Sequence, residues 1–141
     1  MYNKLLLAID LNNQKGSEKV VETALRLVEH YPNTLFRVVT IVEPVDDSFI
    51  SAFLPKNFDK SLIAEVNKAL HDFTAKHFPA NAKVQHIVAH GTIYEEINRI
   101  AEEKSVDLII MLASSKPHTK GLSNNTRRVA KYGNKPILIL K

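Results

Sequence analysis

Gly91-Thr92-Ile93-Tyr94-Glu95-Glu96-Ile97-Asn98-Arg99-Ile100-Ala101-Glu102-Glu103, followed by Val106-Asp107-Leu108-Ile109-Ile110-Met111-Leu112, is the stretch whose reading decides the fold. Its first half is helical. Thr92-x-x-Glu95 has the form of a capping box, in which hydroxyl and carboxylate satisfy free first-turn amides. Ile93, Ile97, Ile100 and Ala101 then recur on one face. The second half contains the short unbroken apolar run Leu108–Leu112, the pattern of a strand buried on both faces in a parallel sheet. A polar-faced helix leading directly into a fully buried strand is half of a β-α-β unit.

The same alternation extends in both directions. Leu5–Ile9, Leu35–Val42, Val84–Ala89 and Ile137–Leu140 are further Val-, Ile- and Leu-rich runs. Val20, Val21, Ala24, Leu25, Val28 and Tyr31 mark a helix that Pro32-Asn33 stops, and Leu62, Ile63, Val66, Ala69, Leu70 and Phe73 mark a longer one ending near Phe78-Pro79. A fourth helix follows Ser123-Asn124-Asn125-Thr126, which supplies N-cap chemistry, and finishes at Gly133-Asn134. The order β-α-β-α-β-α-β-α-β predicts an α/β fold with helices on both faces of a parallel sheet. One connection departs from this rhythm. Residues 43–60 hold two prolines, three phenylalanines and no clear period. Loops of this length are often functional. Phe49, Phe53 and Leu54 can form a lid, a short helix or an interface, and covering the sheet edge is the simplest role for them.

Composition narrows the functional classes. The 141 residues (15.9 kDa) are expected to form one domain, 1–141. The absence of cysteine excludes disulfide frameworks, thiolate metal sites and cysteine nucleophiles. Only four glycines occur, Gly16, Gly91, Gly121 and Gly133, so neither a G-x-G-x-x-G turn nor a G-x-x-x-x-G-K-[ST] loop can be written. Nineteen Lys and Arg against fifteen Asp and Glu leave a net charge of +4. These basic residues are scattered along the chain, which reads as a solvated surface, and nucleic acid is not expected as a partner. The apolar run Leu5–Ile9 is too short for a signal peptide, and no run approaches the ~18 apolar residues of a membrane span. A cytoplasmic protein without a membrane partner is therefore expected.

Ligands of open parallel sheets bind beyond the carboxyl ends of the strands. The segments there are Asp10-Leu11-Asn12-Asn13, Glu43-Pro44, His90-Gly91-Thr92 and Ala113-Ser114-Ser115-Lys116. Lys116, His118, Lys120, Arg127 and Arg128 follow the last of these, and cations beside a helix amino terminus favour an anion. Asp10 is open to two roles, a cap or turn residue and a ligand contact. His86 and His90 lie four apart on a strand without a third ligand, so no metal is expected. Ser114 and Ser115 lack the G-x-S-x-G elbow of a hydrolase. A phospho-accepting receiver domain shares the alternation but needs paired acids after the first strand and an aspartate after the third. This chain has Asp10 alone and His90-Gly91.

Taken in order, several segments resemble the universal stress protein family. They are Tyr2–Asp10, Val39-Thr40-Ile41-Val42-Glu43-Pro44, Gly91–Glu103 with Val106–Met111, and Lys135-Pro136-Ile137-Leu138-Ile139-Leu140. The resemblance implies a three-layer, Rossmann-like sheet of the adenine nucleotide alpha hydrolase-like type, five parallel strands in the order 3-2-1-4-5, with Asp10 facing Ala113–Lys116. In nucleotide-binding members the residue matched by Asp10 reaches the adenosine part, the one matched by Ile41 lies along the base, and a G-x2-G-x9-G-[ST] loop holds the phosphates. Here Ala113, Lys116 and Ser123 stand at the glycine positions, Asn124 replaces the Ser or Thr, and only six residues separate Lys116 from Ser123.

That departure is similar to the branch named for the founding member, which lacks the glycine loop. The resemblance thus implies a non-enzymatic stress-response protein with no cofactor. The alternative is ATP or AMP in a cleft formed by Asp10, Ile41, Ala113, Ser114, Ser115, Lys116, Ser123, Asn124 and Asn125, with Lys116 and Lys120 replacing lost amide donors. By the family strand order Ile137, Leu138, Ile139 and Leu140 form an apolar edge without a protecting charge. A homodimer through this last strand is expected.

Overall fold

The computed structural model describes residues 2–44, 58–116 and 120–141. The expected roles of Phe49, Phe53, Leu54 and His118 lie outside the described residues. The chain alternates β1 (Lys4–Ala8), α1 (Gln14–Leu27), β2 (Leu35–Val42), α2 (Phe58–His77), β3 (Lys83–His90), α3 (Ile93–Glu103), β4 (Leu108–Leu112), α4 (Asn124–Tyr132) and β5 (Ile137–Leu140). All four strand pairings are parallel, in the order β3-β2-β1-β4-β5. This is the expected order.

The centre of the sheet explains why its sequence is apolar without alternation. Leu5, Leu6 and Leu7 are fully buried, with odd and even positions facing opposite layers. Leu5 and Leu7 join α1 and α2 through Val20, Val21, Ala24, Leu70 and Phe73, whereas Leu6 joins α3 and α4 through Ile97, Ile100 and Val129. Removing a side chain of this kind, as in Leu6→Ala, costs about 2–5 kcal/mol. Register at the amino-terminal end of β1 is pinned by Asp107, whose carboxylate accepts from the Asn3 and Lys4 amides at 2.8 and 2.9 Å. The Asp107 amide in turn donates to the Lys4 carbonyl.

The helix ends are set by two devices, side-chain caps and one close approach at a glycine. Asn13 caps α1 by accepting from the Gly16 amide, and Ser123 caps α4 by accepting from the Thr126 amide. The capping box expected at Thr92 does not form. Thr92 precedes α3, but its hydroxyl makes no capping bond, and Glu95 accepts from the neighbouring Tyr94 hydroxyl instead. Glu96 and Glu103 both turn to Arg99 along the outer face of α3. At the end of α4, Gly133 is extended rather than left-handed, so backbone freedom is not its role. A β-carbon there would run into Asn98 of α3 and lie 2.8 Å from the Val129 carbonyl oxygen. Its missing side chain lets α4 close on α3 before the chain enters β5.

Candidate cleft at the carboxyl ends of the strands

The turn after β1 forms one wall of a cleft. The Asp10 carboxylate accepts from the Asn12 amide at 2.9 Å, and the Asp10 carbonyl accepts from Asn13. Ser17, fully buried in α1, donates its hydroxyl to the Asp10 carbonyl and accepts from the Asp10 amide. Asp10 is thus a turn residue held in place by α1, and the helix cap belongs to Asn13. Asn13 also reaches across, donating to the Ser115 carbonyl at 3.0 Å. Gly16 makes this approach feasible, since a β-carbon there would meet Leu112 at 2.6 Å and Asn13 at 2.7 Å.

The opposite wall is the exit of β4. The Ala113 amide donates to Leu140 and its carbonyl accepts from the Ser123 amide, both at 2.7 Å. Thr126, buried on the inner face of α4, donates to the Leu112 carbonyl at 2.9 Å. These bonds tie the start of α4 directly to the end of β4.

Between the walls lies a cleft of about 480 Å³. That is within the range of small-molecule sites. Val39, Ile41, Ile93, Ile97 and Met111 supply its apolar surface. Asp10, Asn12, Thr40, Glu43, Ser115, Ser123, Asn125 and Thr126 supply polar groups. Among the described residues, Asp10 and Glu43 are the charged ones lining it, and both are carboxylates. Of the residues expected at the site, Asp10, Ile41, Ser115, Ser123 and Asn125 line the cleft. The other four do not line it. Ala113 is buried at the end of β4, Ser114 is half-buried with its hydroxyl accepting from the Lys116 amide, and Lys116 and Asn124 are exposed. Asn124 accepts from Arg127.

Glu43 and Asn12 fall in segments that the strand-end argument already singled out. In the sequence Thr126 reads only as part of the N-cap chemistry before α4, and its spacing of three from Val129 is the signal that could have placed it on the inner face. Thr40 carried no signal, because it sits in the continuous apolar run of β2. His86 does not act with His90. It stacks on His71 of α2 at 3.6 Å between ring centres, with its Nε2 2.6 Å from the Thr74 hydroxyl oxygen. Burial, and secondarily the His71 charge, lower the pKa of His86 below its ordinary value. Among the described residues, no three His, Asp or Glu side chains gather to hold a metal ion.

The family model described as "Universal stress protein family" matches residues 1–141. The chain belongs to the universal stress protein family. Universal stress protein MJ0577 of Methanocaldococcus jannaschii is 27% identical over 161 aligned positions, covering 100% of this chain and 96% of the relative. Universal stress protein G of Shigella flexneri is 22% identical, with both chains covered in full. Among solved structures, that of MJ0577 superposes with a TM-score of 0.81 at 24% identity, covering 100% of this chain and 96% of the other. UspA from Lactobacillus plantarum gives 0.75 at 15% identity and 99% and 98% coverage. A universal stress protein in complex with cAMP gives 0.62 at 16% identity, with 99% and 96% covered. These likenesses bear out the fold. In this universal stress protein, no helix of the described residues is long and apolar enough to cross a membrane.

Proposed function

We propose that this universal stress protein acts in the cytoplasm as a non-enzymatic stress-response protein, as a homodimer joined through β5, and without tight binding of ATP. The proposal places it in the founding-member branch that dispenses with the glycine loop. One observation carries the reading on ATP: among the described residues, Asp10 and Glu43 are the charged side chains lining the cleft. A phosphate chain entering there meets like charge, and like charges in a partly desolvated site repel more strongly than in water. At the loop positions, Ser123 has already spent its amide on the Ala113 carbonyl and its hydroxyl oxygen on the Thr126 amide. The Ser123 and Thr126 amides are therefore withdrawn from an incoming anion, and Lys116 lies outside the cleft lining. A triphosphate fits these residues poorly.

A second reading, adenine-nucleotide binding, is favoured by the apolar surface around Ile41 with Asp10 at its rim, together with the solved family member that holds cAMP. A thermal-shift titration with ATP, with and without magnesium, and with AMP and cAMP separates the two. The expected result is no saturable rise in melting temperature. Saturable stabilisation that Asp10→Ala abolishes overturns the first reading in favour of the second, since a ligand selective for the folded state must stabilise it. Dimerisation is checked by light scattering at micromolar concentration. A monomer there refutes that part of the reading.

A further inference from the structure

The scatter of basic residues along the whole chain hides a segregation of sign. All fifteen Asp and Glu precede residue 108, and the remaining residues, 108–141, carry seven Lys and Arg with no acid. The fold places part of this segment on a helix whose one side is committed to the core. Thr126 and Val129 of α4 are buried, while Arg127, Arg128, Lys131 and Tyr132 are exposed on its other side. Aromatic rings interleave with these cations. The Arg128 guanidinium lies 5.5 Å from the centre of the Tyr94 ring of α3, and Lys131 Nζ lies 5.2 Å from that of Tyr132. The two rings are 5.8 Å apart. Tyr132 is 58% exposed.

Of the acids on α3, Glu96 and Glu103 hold Arg99, while Glu95 accepts from the Tyr94 hydroxyl at the edge of this face. Among the described residues no carboxylate lies within ion-pair distance of Arg127, Arg128 or Lys131.

We propose that the outer face of α4, with Tyr94, binds single-stranded nucleic acid. Arg127, Arg128 and Lys131 contact phosphates, and a base stacks on Tyr132. Cations that track a backbone beside an exposed aromatic platform are the recognition chemistry of single strands. An acidic protein segment would use the cations and leave the Tyr132 ring unused, so the aromatic component favours the nucleic acid. This surface is separate from the cleft, and the proposal does not depend on what the cleft holds.

Fluorescence anisotropy with a labelled oligouridine of ~20 nucleotides tests it, with polyglutamate of equal charge as the competing polyanion. Binding is expected to weaken with salt at a slope of about −2 in log K against log salt, as three phosphate contacts on a single strand require. The double variant Arg128→Gln/Lys131→Gln should flatten that slope to about −0.7. Tyr132→Ala should weaken binding about tenfold, with Tyr132→Phe restoring it. An unchanged melting temperature in the surface variants separates lost contacts from lost fold. Absence of binding overturns the proposal, as does binding indifferent to these variants. Polyglutamate binding equal to that of oligouridine, with Tyr132→Ala without effect, assigns the surface to acidic proteins and overturns it too.

Discussion

The two edges of the sheet are built on opposite principles. β3 runs for eight residues and carries its own polar cover: Lys83, Gln85 and His90 are exposed, and Gln85 accepts from Arg37 of β2 at 2.6 Å. β5 runs for only four residues, all of them aliphatic and all half-buried. Leu138 and Leu140 pack towards α1 and Ile137 towards α3 and α4, but Ile139 joins neither core. Natural sheets guard an edge with charge or shortness, or they cover it with another chain. The comparison teaches that the β3 edge is guarded by its own polar side chains, whereas the β5 edge is guarded by shortness alone and leaves Ile139 outside both cores.

The strongest way to break this contrast is to charge each edge in turn. Ile139→Lys should dissociate the proposed dimer, weakening it about 100-fold or more, because a partner would have to bury an unpaired ammonium. Light scattering across a dilution series reads the change. Gln85→Lys, its counterpart on β3, should leave the association state untouched. Equal effects at both edges would erase the distinction.

Next in size is the approach to β5. Gly133→Ala forces a β-carbon against Asn98 and the Val129 carbonyl, and overpacking of this kind costs about 1–3 kcal/mol. Urea denaturation should show the loss as a lower midpoint at unchanged slope.

Two buried threonines sharpen the comparison further. Thr126→Val removes the bond that ties α4 to the Leu112 carbonyl, and Thr74→Val removes the hydroxyl between α2 and His86. Each should cost on the order of 1–3 kcal/mol, since a buried polar partner is left unpaired. Only the Thr126 change should also alter the cleft, because Thr126 lines it.

The smallest effect expected is a pH dependence confined to the β3 side. His86 has a lowered pKa in the folded chain, through burial first and the neighbouring His71 second. The unfolded chain therefore takes up its proton at the higher pH. The stability contribution is present above the ordinary value of 6.5 and is lost as pH falls from there through the lowered folded value. Melting temperature should fall below pH 6.5 in the parent, and less steeply in His71→Gln, which removes the repelling neighbour. An identical slope in that variant would exclude the stacked pair as a source.

How much was legible differs sharply between fold and site. Strands β1 and β4 could be read because burial on both faces makes a run continuously apolar, a local signal that needs no knowledge of neighbours. Ser123 could be read as a cap because its hydroxyl needs only the amide three residues on. Thr92 misled for the complementary reason: its capping box depends on Glu95, which Tyr94 engages instead. At the cleft, Asp10 was reachable from its strand-end position and Ile41 from the family resemblance, but Thr40, inside the strand run Leu35–Val42, carries no local mark of a cleft residue. Lys116 and Asn124 were placed by motif position, and their side chains fall outside the cleft lining.

By itself, the sequence determined the alternation of elements, the absence of a glycine phosphate loop and the apolar character of the last strand. These are properties of residues close together in the chain. Tertiary structure decided that, among the described residues, the charged side chains lining the cleft are carboxylates. It also decided that His86 pairs with His71 rather than His90, and that Arg128 of α4 meets the ring of Tyr94 of α3. The physical reason is common to all three. Potential, burial and stacking depend on distances in space, and parallel crossovers bring together residues that the chain holds far apart.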